Sequence, residues 1–543
     1  MYLCQWFRKT FRRCSIYSIN TDKMGATGPS ESNKRGDNTS MSLDDAMLLS
    51  GFGIYNILHM LMSGLVLMGM IMQCLVLGYV IPAAQCDLEL STRQKGWLSA
   101  LPFASIILTS YFWGWLGDTR GRRPVILYSM MGSTILSFIA SFAPELISFA
   151  ILQFLSAIFM AGSSAILYTY LGECNNLRHR DKMVTFGSSF IGMGTIVLPC
   201  LAWLILPLNI AYPIPFLNIT YRAWRLLVVA SATPFALGAV IMLFSPETPK
   251  FLHEQGRDVE ALEIVKMIYS INKRKPRIDF PVKSLTQKHP ATSETNRSNS
   301  NKSTLSSMRD QTLPLLKPPL LKWTCITCIV QFGIFGATNG FYIWFPTILN
   351  SLAGSDATDM KICDILDANR VALHESIASS NVTLVCDDTI HTSTYLRSIY
   401  IGLTFYSMYI IVGVIVDFVP KKFILLLTLT ITGCCAIGAH LVSSVQVGVI
   451  LFAVFQMSGA CIGLMNAVAV ELFPTRYRAM GVCLSMMIGR SGSMVGSNLI
   501  GWLLEVNCGA AFFTFGGFLI MNGLLCLLLP IYRRNKSKVI PEV

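Results

Sequence analysis

Two short charged stretches decide the fold of this chain: Glu173-Cys-Asn-Asn-Leu-Arg178-His-Arg180 and Glu471-Leu-Phe-Pro-Thr-Arg476-Tyr-Arg478. Both have the pattern Glu-x4-Arg-x-Arg, and each comes at the end of a long apolar run. Asp118 and Asp417 precede the two glutamates by nearly equal distances, 55 and 54 positions. A repeat of this kind in an apolar chain indicates two homologous halves, an arrangement typical of secondary transporters.

The composition is that of a membrane protein. The 543 residues are 53% hydrophobic and only 13% charged, whereas a soluble domain carries about 25% charged residues. The net charge of +13 would suit a nucleic-acid-binding protein, but the cations lie in short segments between apolar runs. That placement follows the positive-inside rule for membrane proteins. We therefore expect a lipid bilayer around the protein, and no nucleic-acid partner.

Twelve apolar runs are long enough to cross a bilayer, which takes about 20 residues. They cover 57–81, 97–117, 125–143, 147–171, 184–207, 224–244, 323–349, 396–418, 422–442, 447–471, 480–503 and 510–531. The sequence therefore predicts an all-α membrane protein with twelve transmembrane helices in two pseudo-symmetric six-helix bundles, each bundle formed by one of the two repeats.

The charges between the runs predict the topology. Cations cluster in the connections that follow even-numbered runs and in the C-terminal tail, whereas the opposite connections 144–146, 443–446 and 504–509 contain none. Both termini are therefore expected in the cytosol. The predicted protein is a multi-pass integral membrane protein of the plasma membrane or of an intracellular vesicle.

The chain divides into five predicted parts. These are a cytosolic N-terminal tail (1–50), a first six-helix bundle (51–250), a cytosolic linker (251–322), a second bundle (323–532) with an outside loop at 350–395, and a cytosolic tail (533–543). Helical spacing of apolar residues at 258–270 predicts a short amphipathic helix within the linker. Residues 271–320 are rich in polar residues and proline, and are expected to be largely disordered.

Predicted outside segments contain modification signals. Asn218-Ile-Thr and Asn381-Val-Thr lie in the two largest of these loops and are expected to carry glycans. Four cysteines also fall outside, and they allow three pairings: Cys86, Cys363, Cys386 and Cys508. We expect a disulfide between Cys363 and Cys386, because a bridge from Cys86 to Cys508 could join the two halves and hinder their motion.

Three motifs resemble those of a known family. Gly114-Trp-Leu-Gly-Asp118-Thr-Arg-Gly121-Arg122-Arg123 matches the loop motif Gly-x-x-x-Asp-x-x-Gly-Arg-Arg of the major facilitator superfamily. The segments 246–250 (Pro-Glu-Thr-Pro-Lys) and 471–481 resemble motifs of its sugar porters and organic-ion transporters. The resemblance covers most of residues 50–532. Within the superfamily, the chain looks most similar to the synaptic vesicle glycoprotein 2 family and the organic cation and anion transporters.

This resemblance implies the major facilitator fold and a cytosolic ion-pair network. The network would hold the halves together when the site faces outward and would break when it faces inward. Its expected members are Asp118, Arg122, Arg123, Glu173, Arg178, Arg180, Glu247, Asp417, Glu471, Arg476 and Arg478. Such pairs are individually worth about 0–1 kcal/mol, so several together can bias a two-state equilibrium without freezing it. The alternative is that these charges only set the topology.

Arg490 is a strong cation within the eleventh run, where small neighbours leave room around it. A charge at this depth is costly and usually faces a cavity. We therefore expect Arg490 to contact an anionic substrate or a counter-ion partner, the alternative being a structural hydrogen-bonding role or a side chain that reaches the interface. Further polar or aromatic candidates for the substrate pathway are Gln73, Gln153, Tyr168, Asn339, Tyr342, Tyr406 and Asn466.

The predicted function is secondary-active or facilitative transport of a small organic ion by alternating access, by a protein that is expected to be monomeric. The alternatives are a facilitative sugar transporter and a non-transporting membrane glycoprotein with a receptor or trafficking role. An enzyme is not expected, because the sequence contains no nucleophile–base set and no phosphate-binding Gly-Lys-Ser/Thr loop. No metal or cofactor is expected either.

Overall fold

A computed structural model describes residues 40–286, 312–353, 360–368, 389–416, 418–474 and 478–530. The helices of the first half are α1 (Leu43–Leu49), α2 (Ile54–Leu75), α3 (Leu77–Ala84), α4 (Thr92–Arg120), α5 (Arg122–Ala140), α6 (Leu146–Glu173), α7 (Arg180–Ile205), α8 (Ala223–Ser231), α9 (Thr233–Met242), α10 (Pro249–Glu254) and α11 (Asp258–Lys273). Those of the second half are α12 (Leu321–Ala353), α13 (Thr392–Ile415), α14 (Lys421–Leu441), α15 (Val445–Gln456), α16 (Cys461–Leu472), α17 (Arg478–Val506) and α18 (Cys508–Leu525).

The described residues also include four short strands and several short 3-10 helices. β2 (Ala211–Ile214) and β3 (Ile219–Arg222) form an antiparallel hairpin between α7 and α8, with the sequon residue Asn218 exposed in its turn. β1 (Ser40–Met41) and β4 (Ser284–Leu285) pair in parallel. The sequon residue Asn381 lies outside the described residues.

The described chain contains eleven helical segments that are long and apolar enough to cross a membrane. Three of these segments consist of two successive helices: α2 with α3, α8 with α9, and α15 with α16. The remaining predicted run, 480–503, forms α17, a helix of 29 residues whose glycines, serines and Arg490 make it less apolar. The prediction of an all-α membrane protein is therefore confirmed.

Each half has its own apolar core. Buried side chains from α2 to α9, joined by Tyr342, Ile343 and Tyr395, form one cluster, and other buried side chains from α12 to α18 form the second. Close contacts between the halves are made by α4 with α17, by α7 with α13 and by α3 with α12. Small residues permit this approach, because helix association in lipid depends on packing rather than on the hydrophobic effect. A Cβ atom on Gly78 of α3, for example, would lie only 3.0 Å from the Ile343 carbonyl oxygen of α12.

The predicted N-terminal tail and disordered linker contain an ordered unit, which we call the peripheral module (residues 40–51 and 249–286). Strand β1, α1, α10, α11 and β4 enclose an apolar core, to which Met47, Val265, Ile268 and Phe280 contribute. The predicted tail therefore includes ordered residues from 40 to 50, and the expectation of disorder over 271–320 was wrong at 271–286 and 312–320. Residues 280–285 contain too few apolar side chains to change the polar composition of the 271–320 stretch, but these side chains cover one face of α11. The predicted amphipathic helix itself is present as α11.

The predicted Cys363–Cys386 disulfide is also wrong. Cys363 is bonded to Cys508, and their Cα atoms are 5.6 Å apart. The reason is that Ile362 and Ile365 are buried in the core of the second half, which brings Cys363 to the first residue of α18. Cys86 is disulfide-bonded as well, and Cys386 lies outside the described residues. The Cys363–Cys508 bridge lies within the second half and does not link it to the first half.

We predict that disulfide mapping of the unreduced protein finds Cys363 linked to Cys508. The bridge joins residues 145 positions apart, and closing a loop of such length is worth on the order of 5 kcal/mol in the chain-entropy account. Cys508→Ser should therefore lower the midpoint of thermal unfolding, whereas Cys325→Ser, at an exposed free cysteine, should not. A peptide that links Cys363 to Cys386 would contradict the assignment.

Candidate functional site

The loop between α4 and α5 is fixed by a carboxylate from another part of the chain. Glu247 accepts hydrogen bonds from the backbone N–H groups of Arg122 (3.2 Å), Arg123 (3.2 Å) and Thr248 (2.9 Å). Its negative charge therefore caps the N-terminus of α5, where a helix dipole favours an anion. Burial raises the pKa of the Glu247 carboxyl above its ordinary value, although the three amide donors favour the charged form.

Arg123 makes the reciprocal contact at the other side of this loop. Its guanidinium donates to the carbonyl oxygens of Met242 (3.3 Å) and Leu243 (2.7 Å), at the C-terminal end of α9. A cation at a helix C-terminus complements the partial negative charge there. The predicted loop motif and the Pro-Glu-Thr-Pro segment therefore lock the ends of α5 and α9 together.

Arg122 lies between two carboxylates in the same region. Its guanidinium is 3.1 Å from the exposed Asp118 and 3.2 Å from the buried Glu173. Glu173 also accepts a hydrogen bond from the Thr248 hydroxyl (2.8 Å), and the Phe251 ring lies 4.9 Å from the Arg122 guanidinium carbon. Burying this cation requires the buried anion Glu173, because an uncompensated buried charge is strongly unfavourable, whereas the exposed Asp118 adds a contact in solvent.

The second half repeats this pattern with a lysine. Lys421, at the start of α14, forms an ion pair with Glu471 near the end of α16, just as Arg122 pairs with Glu173. Asp417 and Arg476 lie outside the described residues, as does the side chain of Arg478. Arg178 is exposed and Arg180 begins α7. Among the described residues, the ion pairs of the predicted network stay within one half, so its role between the halves remains a prediction.

We predict opposite outcomes for two glycines of the loop motif. Gly121 has a φ of 102°, and an added Cβ would overlap the Glu247 carboxylate. Gly121→Ala should therefore destabilise the protein by about 1–3 kcal/mol, the usual cost of a strained backbone. An added Cβ on Gly114 meets no described atom within 4 Å, so Gly114→Ala should leave stability unchanged. Thermal unfolding of both variants in detergent measures this, and equal midpoints would contradict it.

Arg490 lies where the two halves meet. Its guanidinium, carried by α17 of the second half, reaches the hydroxyls of Ser110 on α4 (2.8 Å) and Ser164 on α6 (3.5 Å) in the first half. No carboxylate forms an ion pair with it within the part of the chain that the structure describes. Arg490 is therefore a cation inside the protein whose described hydrogen-bond partners are two neutral hydroxyl groups.

Two further predicted residues lie at this interface. The Tyr342 hydroxyl of α12 donates to the Thr195 carbonyl oxygen of α7 (3.1 Å). Tyr406 of α13 lies against Gly192 of α7, where an added Cβ would be 3.0 Å from the Tyr406 Cα. Tyr168 lies on α6 one turn after the Arg490 partner Ser164, and so on the same helix face.

The other pathway candidates bond within one half. Gln73 accepts a hydrogen bond from Ser133 (2.7 Å), Asn339 donates to Ser493 (3.0 Å), and Asn466 accepts from Gln331 (2.7 Å). Gln153 is buried in α6. These four residues bridge or fill helices of their own bundle, whereas Arg490, Tyr342 and Tyr406 face the opposite half. Ser110, Ser164 and Thr195 were not predicted, because small hydroxyl residues are common throughout transmembrane helices and give no distinctive signal.

Comparison with known proteins gives the family. The profile of the Major Facilitator Superfamily matches residues 59–362. Synaptic vesicle glycoprotein 2C of Mus musculus is 24% identical over 407 residues, which cover 70% of this chain and 53% of that protein. Organic cation/carnitine transporter 7 of Arabidopsis thaliana is 29% identical over 236 residues, 44% of each chain. This chain thus spans about half the length of the curated relatives it matches.

Solved structures agree on the fold. The partially occluded inward-open xylose transporter XylE from E. coli has a TM-score of 0.58 at 14% identity, over 90% of this chain and 100% of that one. The proton:xylose symporter XylE bound to 6-bromo-6-deoxy-D-glucose has a TM-score of 0.59 at 16% identity, over 88% and 96% of the respective chains. The chain belongs to the major facilitator superfamily, and its described helices are those of a multi-pass membrane protein.

Proposed function

We propose that this protein is a transporter that carries a small organic ion by alternating access, and that the ion is an anion that contacts Arg490. The observation that carries the proposal is the guanidinium between the halves, which has two serine hydroxyls as its described partners. Removing a cation from water is costly unless an anion compensates it. A carboxylate or similar group of a substrate would supply that compensation, and a planar guanidinium binds such a group in a bidentate manner.

The position of Arg490 also suits a carrier mechanism. Its two hydrogen bonds join α17 of the second half to α4 and α6 of the first, so a substrate anion that binds Arg490 would compete with contacts between the bundles. A ligand shifts a conformational equilibrium only through its different affinity for the two states. Competition of this kind would couple substrate binding to the relative motion of the halves.

Arg490→Ala should reduce uptake of a radiolabelled organic anion into proteoliposomes at least tenfold, because the charged contact is lost. Arg490→Lys keeps the charge but not the forked geometry, and should retain only part of the activity. Ser110→Ala is the matched control, since it removes the 2.8 Å hydrogen bond and leaves the cation in place. Uptake inhibited by hexoses rather than by organic anions would favour the sugar-transporter alternative, and no flux of either would favour a receptor.

We further propose that the charged network at the predicted cytosolic end biases the two states of the carrier. In support, the Asp118 side chain is 74% exposed although it pairs with Arg122, so it remains accessible to a partner from the other half. The repeated pairs Arg122–Glu173 and Lys421–Glu471 place similar charges at the ends of both bundles. Weak pairs between such ends could form and break within each transport cycle.

Asp118→Lys should abolish transport while leaving expression and thermal unfolding near those of the wild type. The exposed side chain contributes little to folding, but its reversal would repel the cations at both ends. Glu173→Gln is the contrasting variant, because Glu173 is buried against Arg122 and its neutralisation should lower the unfolding midpoint as well. An Asp118→Lys protein with wild-type uptake would refute a gating role.

The orientation of the protein and the membrane in which it lies are also proposals. Both termini and the peripheral module are placed in the cytosol by the positive-inside rule. The glycosylation of Asn218 and Asn381, the plasma or vesicle membrane, and the monomeric state remain predictions from the sequence. The exposed position of Asn218 in the turn of the β2–β3 hairpin supports its modification.

A further inference from the structure

The peripheral module carries a cluster of cations, which we call the basic patch: the exposed Lys273, Arg274, Lys275 and Lys283 and the half-buried Arg277. Between residues 273 and 283, Asp279 is the one acidic residue. None of the five cations forms an ion pair with another residue that the structure describes. The patch is therefore a concentration of positive charge that the module itself does not neutralise.

Local backbone geometry keeps these cations in solvent. Helix α11 ends at Lys273, and Arg274 adopts a left-handed conformation with a φ of 56°. A residue in this conformation ends a helix, and Pro276 shortly afterwards cannot continue it. The cations thus lie at the end of α11 and in the segment that follows it, where Arg277–Asp279 forms one turn of 3-10 helix.

Asn272 anchors the patch to the point where α2 begins. Its side-chain amide donates to the Gly51 carbonyl oxygen (3.2 Å) and to Asn56 Oδ1 (2.8 Å), and its Oδ1 accepts from the Tyr55 backbone N–H (3.1 Å). A Cβ added to Gly51 would lie 2.8 Å from Lys273 Cε, so the lysine stem packs on this turn. The first cation of the patch is therefore held beside the first turn of a membrane-crossing helix.

An apolar edge lies beside the patch, at the α1–α2 junction. It consists of partly exposed large side chains: Leu48, Leu49, Phe52, Ile54 and Ile57. Within the patch itself, the Ile278 side chain is 92% exposed. Exposing such groups to water is unfavourable, whereas contact with lipid is not. The edge continues onto α2, which presents apolar residues at the bilayer surface.

We infer that the basic patch and the apolar edge together bind anionic phospholipid headgroups of the adjoining leaflet. Segments that bind lipid surfaces usually combine cations, which contact the headgroups, with apolar side chains that insert beside them. A membrane surface fits better than a single soluble anion, because the cations are spread along the chain and the apolar edge beside them continues onto α2. Binding would fix the end of the first half to the leaflet while the second half moves. This inference does not depend on the transported substrate.

The test uses the full-length protein in nanodiscs of phosphatidylcholine alone or with phosphatidylserine. Phosphatidylserine should raise the midpoint of thermal unfolding, and native mass spectrometry should detect phosphatidylserine retained on the protein. Each cation removed near a membrane surface weakens binding by about fivefold. Lys275→Glu/Arg277→Glu should therefore abolish both effects at physiological ionic strength, with an unchanged midpoint in phosphatidylcholine. Ile278→Ser should reduce them without a change of charge.

Two controls make the outcome decisive. Arg93→Glu reverses an exposed cation at the opposite end of the first half, and it should keep the phosphatidylserine effects that Lys275→Glu weakens. Excess inorganic phosphate added to phosphatidylcholine nanodiscs should not reproduce the shift. Retention of the phosphatidylserine effects by the double variant, or an equal loss in Arg93→Glu, would overturn the assignment to the patch. A shift with phosphate alone would overturn the assignment to lipid.

Discussion

The rest of the first bundle depends on the ion pairs that the buried Arg122 guanidinium forms. It is shared between Asp118 and Glu173, and it thereby fixes the end of α4 against the end of α6. Loss of one partner of a buried ion pair costs about 3–5 kcal/mol, because the other charge remains uncompensated. Gly121, Glu247 and the Pro-Glu-Thr-Pro segment are arranged around this constraint. Their positions follow from the need to satisfy charges and helix ends where the chain leaves the apolar core.

The interface between the bundles obeys a different rule. Close glycine contacts and single hydrogen bonds join the halves there, such as Tyr342 to Thr195, while the described ion pairs of the predicted network stay inside each half. Strong interactions thus hold each bundle together, and weak interactions hold the bundles to each other. Arg490 departs from this rule, since it brings a full charge into the weakly held interface. That departure is the physical reason for proposing that a substrate contacts Arg490.

The sequence predicted the features that depend on repetition and on strong local signals. The apolar runs predicted the helices. The Glu-x4-Arg-x-Arg repeat and the loop motif predicted the two halves and the proximity of Arg122 and Glu173, because both motifs place charge at a fixed distance from a membrane-crossing segment. Sequence alone could not predict the Cys363–Cys508 bridge, since the pairing depends on how residues 361–368 fold back over the second half. The same holds for Gln73 and Asn466, since a polar residue in a helix can face its own bundle or the other one.

The peripheral module illustrates a second limit of composition. Its polar residues suggested disorder, yet a few apolar side chains on either side of the first bundle close a small core around α11. Outside α11, neither segment has an amphipathic pattern that would predict this core. The core is therefore visible only in the tertiary contact between residues 40–50 and 249–286. Segments far apart in sequence can therefore be ordered together where each alone would be a tail.

The disulfide between Cys363 and Cys508 has a consequence for chemical regulation. Because both sulfur atoms belong to the second half, reduction of this bridge would release residues 361–368 from the start of α18 without acting directly on the contacts between the bundles.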